Sequence, residues 1–200
     1  MINKEECLQI IAEHRSDEIV VTTMGTVIPW GQISEHPLDF ASVGSAMGHA
    51  ADFGLGLALG CPERKVLVLN GDGSMLMCLG TLATIMGLTN LPRNYYLFVC
   101  HNGTYEVTGN QEIPNHTGFS FPTIARGAGF ENVYEFDEPN SLAASLPEIL
   151  NQDGPVFINL KLMPSDEPPP NRRADRPVRY LRPTLAESAH ELKNTLANLK

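Results

Sequence analysis

The sequence predicts a doubly wound α/β fold, a mainly parallel sheet with helices on both faces, and three observations predict it. Two continuous apolar runs, Val66-Leu67-Val68-Leu69-Asn70 and Tyr95-Tyr96-Leu97-Phe98-Val99-Cys100, have the composition of strands buried on both faces. Each run ends at a polar residue beside glycine, Gly71-Asp72-Gly73 in the first case and His101-Asn102-Gly103 in the second. Segments of helical and strand periodicity alternate up to Leu160, which is the rhythm of βαβ units.

In chain order, Asn3 to His14 places Cys7, Ile10 and Ile11 at helical spacing, and Glu18 to Thr23 reads as a β-branched strand. Gly25, Pro29 and Gly31 mark the next stretch as a loop, because all three disfavour regular structure. Ala46 to Gly60 reads as a helix rich in Gly and Ala, so one face of it must pack very close to a neighbour. The strand from Val66 follows, then a helix over Ser74 to Leu88, then the strand from Tyr95. Ser120 to Gly127 and Ser141 to Leu150 are predicted helices, and Asn132 to Phe136 and Val156 to Leu160 are predicted strands. From Pro164 the composition changes to Pro168-Pro169-Pro170 with Arg172, Arg173, Arg176, Arg179 and Arg182. Residues 1–163 are therefore read as one domain and 164–200 as a Pro/Arg-rich arm, packed on a partner or on its own domain. Within it Thr184-Leu185-Ala186-Glu187 fits a capping box that opens a short helix.

Composition removes several classes of function. The 200 residues are 42% hydrophobic and 18% charged, enough to bury a core, and carry a formal charge of −9. General attraction to nucleic acid or to anionic membrane is excluded by that sign, so an anionic ligand must be held locally. Cys7, Cys61, Cys78 and Cys100 are far apart, with no pair at zinc-ribbon, redox or iron–sulfur spacing, and read as reduced, buried thiols. The charged start and the absence of a long apolar run predict a cytoplasmic protein that does not span a membrane.

The chemistry concentrates at the two polar strand ends. In doubly wound sheets ligands sit outside the carboxyl ends of the strands, and neighbouring strands lie about 4.8 Å apart. The carboxylate of Asp72 and the amide oxygen of Asn102 can therefore meet at one hard cation, and magnesium fills its remaining positions with water and phosphate. Gly71 and Gly73 let a phosphate approach the backbone, and Ser74 opens the following helix. Taken singly, Asp-Gly and Asn-Gly are ordinary turn chemistry and Met47 is an ordinary core residue. Gly54, Gly56 and Gly60 lie within a predicted helix, not at a strand-to-helix turn, so they do not form a dinucleotide fingerprint.

Gly71-Asp72-Gly73, with Asn102 after 28 intervening residues, resembles the diphosphate-binding motif of thiamine diphosphate enzymes. The resemblance extends to Gly44-Ser45-Ala46-Met47-Gly48-His49-Ala50 and covers the chain from about Val20 to Leu160. It implies thiamine diphosphate and magnesium as cofactors, with Asp72, Asn102 and the Thr104 carbonyl as metal ligands. Gly71, Gly73, Ser74 and Tyr105 would lie along the cofactor, Met47 would wedge it into a bent shape, and the Ser45 carbonyl would accept from its aminopyrimidine. Thr23, Gly25 and Thr26 are further diphosphate contacts by position. His49 either faces substrate or finishes a helix turn, and Glu106 and Glu112 are loop carboxylates or cofactor-loop contacts. His101 departs from the pattern, since many relatives carry a second Asn there.

The resemblance also implies a partner. In the family, a glutamate from a separate pyrimidine-binding domain activates the cofactor, and a chain of this length has no room for that domain. The reading is a split enzyme, α2β2 or larger, with its active site at the subunit interface. Met47-Gly48-His49-Ala50, Gly71 to Met77 and Tyr105-Glu106-Val107-Thr108-Gly109 look most like sulfopyruvate and phosphonopyruvate decarboxylases, which act on small 2-oxo acids with an anionic head. The lack of cysteine clusters argues against iron–sulfur-linked oxoacid oxidoreductases. The alternatives are a carboligase subunit of the acetolactate synthase type and a non-catalytic regulatory subunit that binds the cofactor.

Overall fold

The computed structural model describes residues 1–44, 46–166 and 178–199. Its strands, in chain order, are β1 (Ile19–Thr22), β2 (Asp39–Ala41), β3 (Val66–Gly71), β4 (Tyr95–His101), β5 (Thr104–Tyr105), β6 (Gln111–Glu112), β7 (Asn132–Phe136) and β8 (Val156–Lys161). Six of them form one sheet in the order β2-β1-β3-β4-β8-β7 with every neighbour parallel, while β5 and β6 make a small antiparallel pair. The chain steps from β1 to β2 on one side and then back past β1 to β3, so a topological switch point lies between β1 and β3.

Strand alternation builds two cores. Leu67, Leu69, Tyr96 and Phe98 face one side, under α1 (Lys4–Glu13), α2 (Met24–Ile33) and α7 (Pro139–Asn151). Val66, Val68, Tyr95 and Leu97 face the other, under α3 (Ala50–Gly60), α4 (Asp72–Met77), α5 (Gly80–Met86) and α6 (Phe121–Ala128). The close packing expected of the Gly/Ala-rich helix falls on Val68 of β3. A Cβ built on Gly54 of α3 lies 2.2 Å from Val68 Cγ2. Gly54→Ala should therefore push α3 off the sheet and cost about 1–3 kcal/mol, read as a lower urea midpoint; an unchanged midpoint would contradict this packing.

The structure corrects several sequence expectations. The stretch with Gly25, Pro29 and Gly31 is the helix α2, in which Thr26 Oγ1 accepts from the Thr23 N–H (3.1 Å) at the first turn and Trp30 is fully buried. Tertiary packing overrides propensity here: Gly31 leaves room for Val178 and Tyr180, whose side chains would lie 2.6 Å from a Cβ at that position. The edge strand β2, only three residues long, was not anticipated. The helix predicted from Ala46 begins at Ala50, and the one predicted over Ser74 to Leu88 is two helices, α4 and α5, that meet at a corner at Cys78 and Leu79.

The capping box at Thr184 and Glu187 opens α8 (Leu185–Asn198), with Glu187 Oε2 accepting from the Thr184 N–H (2.7 Å). Just before it, Tyr180 and Leu181 are buried in the same core as α1 and α2, and the Tyr180 hydroxyl donates to the Val27 carbonyl (2.6 Å). Pro168, Pro169, Pro170, Arg172, Arg173 and Arg176 lie outside the described residues. Cys7, Cys61 and Cys100 are buried as expected, but Cys78 is only half-buried.

Candidate functional site

The switch point opens into a cavity of about 480 Å³ at the carboxyl ends of β1, β3 and β4. Thr23, Gly25 and Thr26 enter it from the start of α2, Met47 from the turn before α3, Gly71 to Ser74 from the end of β3, and Asn102, Thr104 and Tyr105 from beyond β4. Of the cofactor, metal and catalytic candidates named from the sequence, two are missing. Ser45 lies outside the described residues, and His49 is not in the lining; its ring is turned to Asp52 (Nδ1 to Oδ2, 2.5 Å).

Asp72 is the electrostatic centre of the cleft. Its carboxylate is 2% exposed, with Oδ1 accepting from the Gly73 N–H and Oδ2 from the Gly103 N–H, each at 2.7 Å. Burial pushes the carboxyl up to about 6, against these amides, which pull it down. Such a charge is held in place by the backbone yet has no cation beside it among its described hydrogen-bond partners. Asn102 Oδ1 accepts from the Thr104 N–H at 2.9 Å, which fixes the amide at the cleft. The Thr104 hydroxyl is 2.9 Å from Asn110 Oδ1 and 3.3 Å from Asn102 Oδ1; its single proton goes to the nearer, leaving Asn102 a free lone pair.

The rest of the lining fits a diphosphate. Ser74 Oγ is buried without a hydrogen-bond partner, an unsatisfied donor of the kind a phosphate oxygen fills. A Cβ on Gly71 would meet no protein atom within 4 Å, so the cradle there is open, while one on Gly73 would lie 2.6 Å from the Tyr105 ring. Tyr105 thus closes over the Asp72 turn. The Thr26 hydroxyl is committed to the fold, 3.0 Å from the Leu69 and Thr23 carbonyls, so it has no proton to offer a phosphate. The donor set of one carboxylate, one amide oxygen and nearby backbone suits a hard, hydrated dication carrying phosphate oxygens.

Sequence reasoning named Glu106 as a loop carboxylate or cofactor-loop contact but missed its partner Lys4 at the floor of this cleft. Lys4 and Glu106 are both buried and form an ion pair, and Ser165 donates to Glu106 Oε1 from its N–H (3.0 Å) and its hydroxyl (2.5 Å). Lys4 was detectable in principle, since it shares the buried face of α1 with Cys7, Leu8 and Ile11 at helical spacing. Glu112 is exposed on β6. His101 is also outside the lining: it stands edge-on to Phe121 (5.1 Å between centroids) with Nδ1 3.5 Å from Asn159 Nδ2, and burial lowers its pKa. No helix among the described residues is long and apolar enough to cross a membrane.

The family model for the thiamine pyrophosphate enzyme C-terminal TPP-binding domain matches residues 21–160. The chain belongs to this family. It is 35% identical over 162 residues to the sulfopyruvate decarboxylase subunit beta of Methanocaldococcus jannaschii, covering 80% of this chain and 82% of that one. It is also 35% identical over 157 residues to the phosphonopyruvate decarboxylase of Streptomyces viridochromogenes, where the match takes in 78% of this chain but 38% of the larger protein. Among solved structures, the thiamine diphosphate-dependent 4-hydroxybenzoylformate decarboxylase of Rhodococcus jostii shares the fold, with a TM-score of 0.67 at 16% identity. The superposition covers 83% of this chain and 33% of that one, so this TPP-binding domain spans about a third of the solved enzyme.

Proposed function

We propose that this chain is the thiamine diphosphate- and magnesium-binding subunit of a cytoplasmic, split 2-oxo acid decarboxylase of the sulfopyruvate or phosphonopyruvate class. The observation that carries the reading is the convergence of two separate sequence motifs, around Met47 and around Asp72 and Asn102, on one cleft at the switch point. The Methanocaldococcus relative, similar over most of its length, is named a beta subunit, which supports a second polypeptide. Met47 at 71% exposed and Met77 at 49% exposed give the cleft an apolar rim, the kind of surface that a pyrimidine-binding partner would cover.

Bound thiamine diphosphate supplies the electron sink that lets a 2-oxo acid lose carbon dioxide. The residues of this chain bind and orient it. Asp72, Asn102 and the Thr104 carbonyl would hold magnesium, which neutralises the diphosphate, and Ser74 with the Gly71 cradle would fix the phosphate oxygens. Val43, Met47 and Val107 line the cleft with apolar surface that, once covered by the partner, would exclude water from the reacting end. The Glu that activates the cofactor would come from the partner.

The test is carbon dioxide release by the chain purified with its partner and loaded with both cofactors. Release from sulfopyruvate or phosphonopyruvate supports the proposal. No release from any 2-oxo acid by a complex that does bind the cofactor would leave a regulatory subunit instead. Met47→Ala should keep cofactor affinity within about threefold but lower turnover by about 10- to 100-fold, because the wedge positions the cofactor without anchoring its charge. Wild-type turnover in that variant would contradict the positioning role.

A further inference from the structure

Outside the cleft lining, at its rim, three side chains of different chemistry converge. His49 is the residue before α3, Asp52 lies in the first turn of that helix, and Cys78 is the residue after α4. His49 Nδ1 is 2.5 Å from Asp52 Oδ2 and 3.9 Å from Cys78 Sγ, and Nε2 is 3.6 Å from the same sulfur. One ligand atom from each residue lies within 4.8 Å of the other two.

The fold builds this meeting point. Gly48 has φ +86°, and a Cβ there would lie 2.9 Å from both Cys78 Sγ and Met77 Cβ, so a side chain at this position would drive the two elements apart. The second oxygen of Asp52 is fixed from behind by the Thr81 hydroxyl of α5 at 2.5 Å, the kind of outer hydrogen bond that orients a carboxylate ligand.

We propose that His49, Asp52 and Cys78 bind a borderline-soft divalent cation of the zinc class. Imidazole, carboxylate and thiolate together are the ligand types of such an ion, whereas magnesium takes oxygen alone, so this site and the Asp72 site select different metals. With bonds of about 2.0–2.3 Å, ligand atoms around a tetrahedral ion lie roughly 3.3–3.8 Å apart. The sulfur-to-imidazole distances are already close to that. The His49–Asp52 pair must open by about 1 Å as the metal replaces the proton between them, and both side chains have the solvent exposure to do so. As Nδ1 takes the metal the neutral imidazole carries its one proton on Nε2, so the proton released to solvent is that of the Cys78 thiol, and water completes the coordination. The ion then clamps the turn that carries Met47 to the corner between α4 and α5, and this holds whether or not the cleft binds thiamine diphosphate.

Cobalt(II) titrated into the full-length, chelator-stripped chain in excess magnesium tests the site, since a thiolate-to-cobalt charge-transfer band reports the sulfur ligand directly. One equivalent should produce the band and zinc should remove it. Cys78→Ser should abolish the band, and His49→Ala, an exposed position that leaves the core intact, should weaken cobalt affinity at least about tenfold. Asp72→Ala should keep the band at wild-type affinity. No band in the wild-type chain at millimolar cobalt, a band that survives Cys78→Ser, or cobalt affinity unchanged in His49→Ala would each overturn the proposal.

Discussion

Asp72→Ala is expected to abolish magnesium-dependent thiamine diphosphate binding. A group that merely orients a metal ligand is typically worth about 10- to 100-fold in metal affinity, so loss of the ligand itself should cost at least about 100-fold. The carboxylate also carries the negative charge at the head of the cleft, and both of its oxygens are aimed by the Gly73 and Gly103 amides. The companion variant Asp72→Asn separates function from folding. Burial raises this carboxyl to about 6, so the folded state takes its proton more readily than the unfolded chain does, and stability falls as pH rises from the ordinary carboxylate range to about 6 and is level above that. Asn keeps one acceptor oxygen and turns its NH2 towards the second backbone N–H, so relief of the buried charge is offset by one lost hydrogen bond and the melting temperature at pH 8 should change little, although binding is lost. A carboxylate kept at a cost to the fold is what a ligand looks like. For the same reason cation affinity of the wild type should fall below about pH 6, where the ionised carboxylate is depleted. Cofactor affinity unchanged in Asp72→Ala would remove the central assignment.

Lys4→Met should be the most destabilising single change near the cleft. Lys4 and Glu106 are 2% and 8% exposed, and breaking one half of a buried pair strands the other charge at a cost of about 3–5 kcal/mol. The double variant Lys4→Met with Glu106→Gln removes both charges and should recover most of that loss. Urea unfolding of the two single variants and the double variant measures the coupling, and a single-variant loss under about 1 kcal/mol would show that the pair contributes little. The pair ties the 3₁₀ turn Glu106–Thr108, which continues from Asn102 and Thr104, to α1 and to Ser165. It holds the loop that carries two of the proposed magnesium ligands.

The parallel sheet was legible because its central strands are apolar on both faces and end in glycine-flanked polar residues, a pattern only burial between two helical layers explains. The cleft was legible for a related reason: Asp72 and Asn102 follow directly on those strands, so the register of β3 and β4 brings them to one edge. What escaped was decided by contacts distant in sequence. Gly25, Pro29 and Gly31 argue for a loop locally, yet α2 exists because Trp30 is buried and Tyr180, some 150 residues later, packs against Gly31. The break at Cys78 has no local marker beyond Gly80, and the Lys4–Glu106 pair joins residues 102 apart. Cysteine spacing likewise gave no hint of Cys78 beside His49, because its neighbours there are not cysteines.

The most direct test is calorimetric titration of thiamine diphosphate into the chain, alone and as the complex it purifies with, with magnesium and after its removal by a chelator. Tight, magnesium-dependent binding by the complex and weaker binding by the chain alone are the expected results. Binding that is indifferent to magnesium, or no binding in either state, would contradict the proposed function.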